Sequence, residues 1–378
     1  MSTSDSNMPV AWSIPAPEGP PGKIGGRRAL AVGWARKNLF SSPFNTVLTI
    51  GVIALIVYIV PGIFRWAVLD ATVWGASKAA CVTDGACWAF VQNRLPVFMV
   101  GRYPIGERWR VVAALIVLIG FCIPVLREGH VRHRGIWLLL LITACPAIVA
   151  VLLLGGVFGL PYVDTSLWGG LMLDVVISFT TIAGAFPFGI ALAFGRRSDS
   201  LILRSLSIGY IELWRGVPLL TVLFMSAVIV PLLLPNGVSA DRLLRAMIAL
   251  MLFNAAYMAE VVRGGLQGVP SEQDEAAYSL GLNWWKTQAF IVLPQALRIV
   301  VPGIVNTVVD LFKDVTLITI IGLADLLGVI NQALRDPAWL GMAKEGYVFA
   351  AVVFFICCFA MSSYSRRLER RLNAHRQH

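Results

Sequence analysis

Eight apolar runs, separated by short polar or charged stretches, organise this chain. They fall near 45–64, 111–126, 136–160, 170–194, 206–234, 243–262, 299–321 and 347–364. A run of about 18 or more apolar residues is long enough to cross a hydrocarbon core as a helix, and a helix satisfies its own backbone polar groups in lipid. The pattern predicts an all-α integral membrane protein of about eight transmembrane helices. The run at 111–126 is short and must draw on its flanks. Pro124, Pro146, Pro187, Pro218 and Pro231 lie inside runs, where proline marks kinks that neighbouring helices can accommodate.

Composition agrees: 57% of the 378 residues are hydrophobic and 14% charged, against roughly a quarter charged in soluble domains. The net charge of +10 raises the question of a nucleic-acid partner, but its distribution answers it. Arg127, Arg132 and Arg134 bracket one loop, Arg196, Arg197 and Arg204 another, and Arg366, Arg367, Arg370, Arg371 and Arg376 close the chain. Loops 161–169 and 235–242 carry little positive charge. Positive charge marks the cytoplasmic side, so nucleic acid is disfavoured and both termini are expected in the cytoplasm. Segment 65–110 should then lie outside despite Arg65, Lys78, Arg94, Arg102, Arg108 and Arg110; long loops are less bound by the rule.

Residues 1–44 are polar or proline-rich, without the early apolar stretch of a secretory signal, and read as a disordered cytoplasmic tail. Residues 45–165 read as a three-helix extension with a periplasmic loop near 65–110. Residues 166–370 form the core, with a cytoplasmic segment near 266–294, and 371–378 a basic tail. Cys81 and Cys87 share the long loop; a disulfide suits an oxidising compartment, and two free thiols are the alternative. Cys122, Cys145, Cys357 and Cys358 sit in apolar runs and read as small hydrophobes.

Glu275 to Pro294 reads EAAYSLGLNWWKTQAFIVLP. Ser271 with Asp274 three places on suggests a capping box, opening a short helix from Glu272 to Leu280. Gly281 suits its left-handed end, and Asn283 a cap for a second helix carrying Trp284, Trp285 and Phe290. Pro294 fits the first turn of the next span. The spacing of Glu275-Ala276-Ala277, Gly281 and Leu293-Pro294 resembles the EAA loop of permeases of type I ABC importers. The bland alternative is an amphipathic helix lying on lipid headgroups.

Two further stretches narrow the resemblance. YIELWRGVPLL at 210–220 and YMAEVVRGGL at 257–266 look like segments of the polar amino-acid uptake family, and KDVTL at 313–317 is similar to its KDTSL. Glu272 and Val315 depart from the family's usual glycine and threonine. The resemblance covers about 170–370 and implies a C-terminal five-helix type I core. The long N-terminal half is similar to the larger permease of general L-amino-acid uptake systems. It also implies an ABC ATPase docking at Glu275, Ala276, Ala277, Gly281, Leu293 and Pro294, with ATP and Mg on that partner. A second permease in a heterodimer, a periplasmic amino-acid-binding protein and a bacterial inner-membrane location follow in the same way.

The chain reads as a non-catalytic subunit. It has no G-x-x-x-x-G-K-[ST] loop and no H-E-x-x-H, signatures of phosphate and zinc sites. Its four histidines, His130, His133, His375 and His378, lie outside the runs. No cofactor or metal is expected on it. Ionisable groups inside spans mark a pathway or a structural pair. Asn306, Asp310 and Asp314 share one helix face, and Lys313 stands three from Asp310, as Arg215 does from Glu212. Asn306, Asp310, Glu212, Arg215 and Asn254 are the substrate-path candidates, with the structural pairing Glu212–Arg215 and Asp310–Lys313 as the alternative. Asn254 is expected to bond between helices, and Glu260 with Arg263 to lie near the cytoplasmic mouth. The competing function is a stand-alone ion-coupled secondary transporter or channel using Asp310.

Overall fold

The computed structural model describes residues 27–127, 133–233, 235 and 240–374. Within them regular structure is helical, apart from isolated bridges pairing Thr72 with Cys87 and Gly170 with Asp325. The chain divides into two units, Met1–Leu69 and Asp70–His378.

The first unit holds α1 (Arg27–Asn38) and α2 (Pro43–Phe64). Residues 27–38, expected within a disordered tail, are helical; Ala, Leu, Arg and Lys favour helix, and Arg36 and Lys37 in the last turn suit the negative helix end. Residues 1–26 lie outside the described set. The Ser42 hydroxyl caps α2 by accepting from the Asn45 amide at 3.2 Å, with Pro43 in the first turn.

In the second unit α3 (Trp88–Val100) precedes α4 (Arg108–Leu126), α5 (Arg134–Ile142) and α6 (Ala144–Leu154). Then follow α7 (Gly170–Arg196), α8 (Leu201–Gly216), α9 (Leu219–Phe224), α10 (Val230–Leu233) and α11 (Arg242–Gln267). The short α12 (Glu272–Ser279) and α13 (Trp284–Thr287) lead into α14 (Leu293–Asp314), α15 (Leu326–Ala333) and α16 (Ala343–Ala374). A disulfide joins Cys81 to Cys87, resolving the alternative left open above. The expected basic tail continues α16 as far as Ala374; residues 375–378 are not described.

Among the described residues seven helices are long and apolar enough to cross a membrane, and a bent pair makes an eighth. That pair is the run expected at 206–234, where Pro218 predicts a kink; the break is sharper than a kink and divides the run into two helices. Leu201–Gly216 and Leu219–Leu233 meet at 99°, because Val217, before proline, is extended (φ −102°, ψ 134°) and Pro218 has no N–H to continue the ladder. The span expected at 136–160 stops at Leu154. The run at 299–321 belongs to a longer helical stretch, Trp284–Ile321, and the short second run gains length by starting at Ile105.

The core forms where α7 crosses α11. Leu173, Ile177 and Ala193 of α7 and Ala246, Leu250 and Met258 of α11 are buried. Small residues let the backbones approach: a Cβ on Gly189 would lie 2.7 Å from the Met258 Cβ. Both helices run from the end of the molecule near α3 to the end bearing α12, so these two ends are where polar chemistry collects.

Candidate functional site

At the α12 end the chain forms a compact helix–glycine–helix knuckle. The expected capping box is absent. Ser271 is itself helical (φ −63°, ψ −25°) and its side chain makes no cap, while Asp274 is taken elsewhere: its Oδ1 accepts from Gln288 Nε2 at 2.8 Å. This bond ties the start of α12 to the turn following α13. Gly281 ends the helix as expected, at φ 78°. Its amide donates to Tyr278 O at 2.9 Å, and the Leu282 amide to Ala277 O at 3.1 Å, the paired bonds of a Schellman ending. Asn283 caps α13, its Oδ1 accepting from the Lys286 amide at 3.0 Å. The second helix then runs through a π turn (Gln288–Val292) into α14, so Leu293 and Pro294 stand at its junction with the span.

Glu275, Ala276, Gly281 and Pro294 are exposed, and no atom lies within 4 Å of where a Gly281 Cβ would stand. Leu293 is half-buried. Ala277 is 1% exposed, which corrects its placing on the docking surface: it packs inward and lends its carbonyl to the glycine turn. Leu280, Trp285 and Phe290 project strongly. Trp284 instead leans edge-on against Phe194 of α7, centroids 5.9 Å apart.

Above the knuckle, one carboxylate gathers three arginines from three helices. Glu260 of α11 accepts from Arg263 at 2.8 Å and from Arg196 of α7 at 2.7 Å, and Arg215 of α8 stands 3.7 Å away. Arg196 also reaches Glu212 at 3.2 Å, and the Arg215 guanidinium lies 5.7 Å from the Tyr257 ring centroid. The expected Glu212–Arg215 pair is therefore replaced by two contacts to neighbouring helices. The reason is geometric: Arg196, at the end of α7, enters between α8 and α11 and meets both carboxylates.

The other path candidates are not brought to this cluster. Asp310 pairs with Lys313 at 2.9 Å on an exposed face of α14, and Asn306 is exposed on the same helix. Asn254 is buried, yet its Nδ2 donates to Leu250 O of its own helix at 2.9 Å; among the described residues the expected bond between helices is not made.

Sequence reasoning missed the α3 end altogether. There a cavity of about 600 Å³ is lined by Arg94, Arg102, Trp168, Asp241, Arg242 and Asp336, among others. Arg94 pairs with Asp336, and Glu345 accepts from the Cys87 amide at 3.2 Å. Asp325 caps α15, accepting from the Gly328 amide at 2.8 Å and from the Thr319 hydroxyl. Burial holds its carboxyl above the ordinary range, against the lowering pull of those donors. Asp164 goes the other way, lowered by hydrogen bonds from Ser166. Arg110 is fully buried and donates to Leu152 O and Pro161 O. The bonds of Asp325 and Asp164 are local, but the partners of Arg94, Glu345 and Arg110 lie far apart in the chain, so no local pattern announces them.

A model of the family described as binding-protein-dependent transport system inner membrane component matches residues 185–374. The chain is 50% identical to the inner membrane amino-acid ABC transporter permease protein YhdY of Escherichia coli (strain K12), over 94% of this chain and 97% of that one. It is 37% identical to the glutamate/glutamine/aspartate/asparagine transport system permease protein BztC of Rhodobacter capsulatus, over 90% and 94%. The glutamate/aspartate import permease protein GltK of Escherichia coli O6:H1 is 33% identical, matched over 94% of its own length but 56% of this chain.

Proposed function

The chain belongs to the family of binding-protein-dependent transport system inner membrane components, and we propose that it is the membrane-spanning permease subunit of an ATP-driven amino-acid importer. The substrate class is supported by the names of its relatives, which transport amino acids such as glutamate and glutamine. Membership of a multi-component family sets aside the stand-alone carrier.

The observation that carries the coupling role is the knuckle itself. Glu275 and Ala276 are exposed beside the exposed glycine turn. A carboxylate there can accept a charge-assisted bond from a partner's arginine, and a small neighbour lets the partner approach. The partner is an ABC ATPase that supplies ATP and Mg; this chain carries no catalytic group and no cofactor. α11 leads into the knuckle and α14 out of it, so motion of the ATPase passes directly to two core helices. The Glu260 cluster links the same end of α11 to α7 and α8. On this reading the α12 end and both termini are cytoplasmic, and a second permease completes a heterodimer. A periplasmic amino-acid-binding protein delivers to the opposite face. A separate core toward the C-terminal end is supported by the family match over residues 185–374 and by the short relative, matched almost end to end by little over half of this chain; we place it at 166–370, after an extension over 45–165.

Purification of the tagged chain from its native membrane in mild detergent tests this, with mass spectrometry of what accompanies it. A P-loop ATPase at near-stoichiometric level is expected, reduced about tenfold or more in Gly281→Asp and Glu275→Ala, since a lost charge-assisted contact is worth at least that factor. Gly281→Asp meets open space; its φ of 78° strains the turn locally, but Asp tolerates the left-handed region better than most residues, so the variant should insert normally while losing uptake. Unchanged ATPase recovery and uptake in that variant would refute the docking assignment.

A further inference from the structure

The second half of the broken span, Leu219–Leu233, is joined in sequence to α8 but packs on α11. Leu219, Val222, Leu223 and Ser226 are spaced as one helix face and are buried. The three apolar ones share a core cluster with Leu243, Ala246 and Leu250 of α11. The opposite face, with Phe224, Val228 and Leu232, is exposed. Toward α8 the helical ladder is interrupted, since Val217 is extended and Pro218 has no N–H.

This half-span carries a second proline, and an arginine answers it. Its middle widens into a π turn, Met225–Ile229, where the Val230 amide donates to Met225 O five residues back. Pro231 comes next and has no amide to donate. In the α register that donor would meet Ala227 O, and in the π register Ser226 O. Arg245 of α11 takes its place: Nη1 donates to Ser226 O and to Ala227 O, each at 3.0 Å. Carbonyls without a donor are costly at membrane depth, and a neighbouring helix that satisfies them makes a proline tolerable there. The arginine gains little else. It is in no ion pair among the described residues, and its buried Nε has no hydrogen-bond partner among them. A cation kept in a span against the cost of burial is placed for those two carbonyls.

We propose that Arg245 is a positioning residue for transport: by supplying the donor that Pro231 lacks, it fixes residues 219–233 to α11, so that the half-span moves with α11 although the chain joins it to α8. α11 leads into the knuckle at its other end, and displacement of the knuckle reaches the half-span through this contact. The inference rests on the importer reading above and deepens it, naming a residue outside the knuckle through which coupling passes.

Arg245→Leu and Arg245→Lys, each with and without Pro231→Ala, test this on the full chain with its co-purified partners in proteoliposomes. Uptake of radiolabelled L-glutamate and L-glutamine is read beside ATP hydrolysis. Arg245→Leu should lower uptake about tenfold, the worth of one lost charged hydrogen bond, while hydrolysis falls by less than about threefold. More ATP is then hydrolysed per amino acid moved, a ratio that a merely structural defect would leave unchanged. Pro231→Ala returns an amide to the half-span and should bring Arg245→Leu back to within about threefold of parental uptake. Arg245→Lys, still a donor, should keep an intermediate rate, and it carries the same comparison if Arg245→Leu fails to insert. Parental uptake in Arg245→Leu, uptake and hydrolysis falling in step, or an equal loss with and without Pro231→Ala overturns the assignment. A parental assembly that moves neither amino acid sinks the broader reading instead. The contact is then still read from melting temperatures, where additive shifts of Arg245→Lys and Pro231→Ala overturn it and a smaller shift of Arg245→Lys beside Pro231→Ala upholds it.

Discussion

At the α12 end, the helix turns are set by near neighbours: Gly281 donates back to Tyr278, and Asn283 accepts from Lys286. At the α3 end, Arg94 meets Asp336 across 242 positions, Arg102 meets Gln332 across 230, and Cys87 meets Glu345 across 258. The first region is a projecting knuckle with exposed Leu280, Trp285 and Phe290; the second is a recess walled by pairs from α3, α11 and α15. A projecting turn can be written in a short segment. A concave site needs walls from several elements, and those arrive only when distant segments pack.

The comparison is broken most severely at Glu260, which brings long-range contacts to the α12 end. Glu260→Gln would leave Arg196, Arg215 and Arg263 without their shared carboxylate and should cost about 2–3 kcal/mol, toward the lower side of a broken buried pair because the cluster is partly exposed. The check is thermal unfolding in detergent, where a loss no greater than that of an exposed substitution would make the cluster ornamental. Uptake should fall too if the cluster carries motion from α11 to α7 and α8.

Asp325 gives a smaller effect at the other end. Asp325→Ala removes the α15 cap and should cost about 1 kcal/mol, whereas Asp325→Asn keeps an accepting oxygen and should cost less. Because burial raises the folded carboxyl above its ordinary value, the folded state holds the proton more tightly. Stability from this group is then greatest at low pH, declines as pH rises from the ordinary carboxylate range through the raised value, and levels off above it. Melting temperature followed against pH should show a shallower decline in Asp325→Asn; an unchanged slope would rule out this carboxyl as its source.

The smallest effect belongs to Arg94 and Asp336, each about one-third exposed. Solvent screens such a pair, so a double-mutant cycle of Arg94→Ala and Asp336→Ala should return a coupling of about 0.5–1 kcal/mol. A larger value would show that the recess is held by this pair and not by packing around Phe90, Phe98 and Trp339.

Legibility followed the range of the contacts. The Gly281 turn, the Asn283 cap and the start of α14 at Pro294 were each readable, since their partners stand within about four residues. Ser271 misled because Asp274, its intended companion, is drawn off by Gln288 fourteen positions away. Glu212 and Arg215 misled similarly: the i,i+3 spacing permits their pairing, but Glu212 meets Arg196 and Arg215 meets Glu260, each from another helix. Asn254 shows the converse. Its expected partner on another helix lost to the carbonyl four residues back.

By itself, the sequence determined that this is a multi-span helical membrane protein, roughly where most of its spans fall, and how the knuckle between α11 and α14 turns. Lipid leaves a spanning segment few alternatives to helix, and turn chemistry acts over a few residues. Tertiary structure alone decided that Arg196 and Arg215 join Arg263 at Glu260, that Ala277 faces inward, and that a balanced set of charges encloses a cavity at the α3 end. A charge carries no record in the chain of its distant partner; only packed helices bring the two within reach.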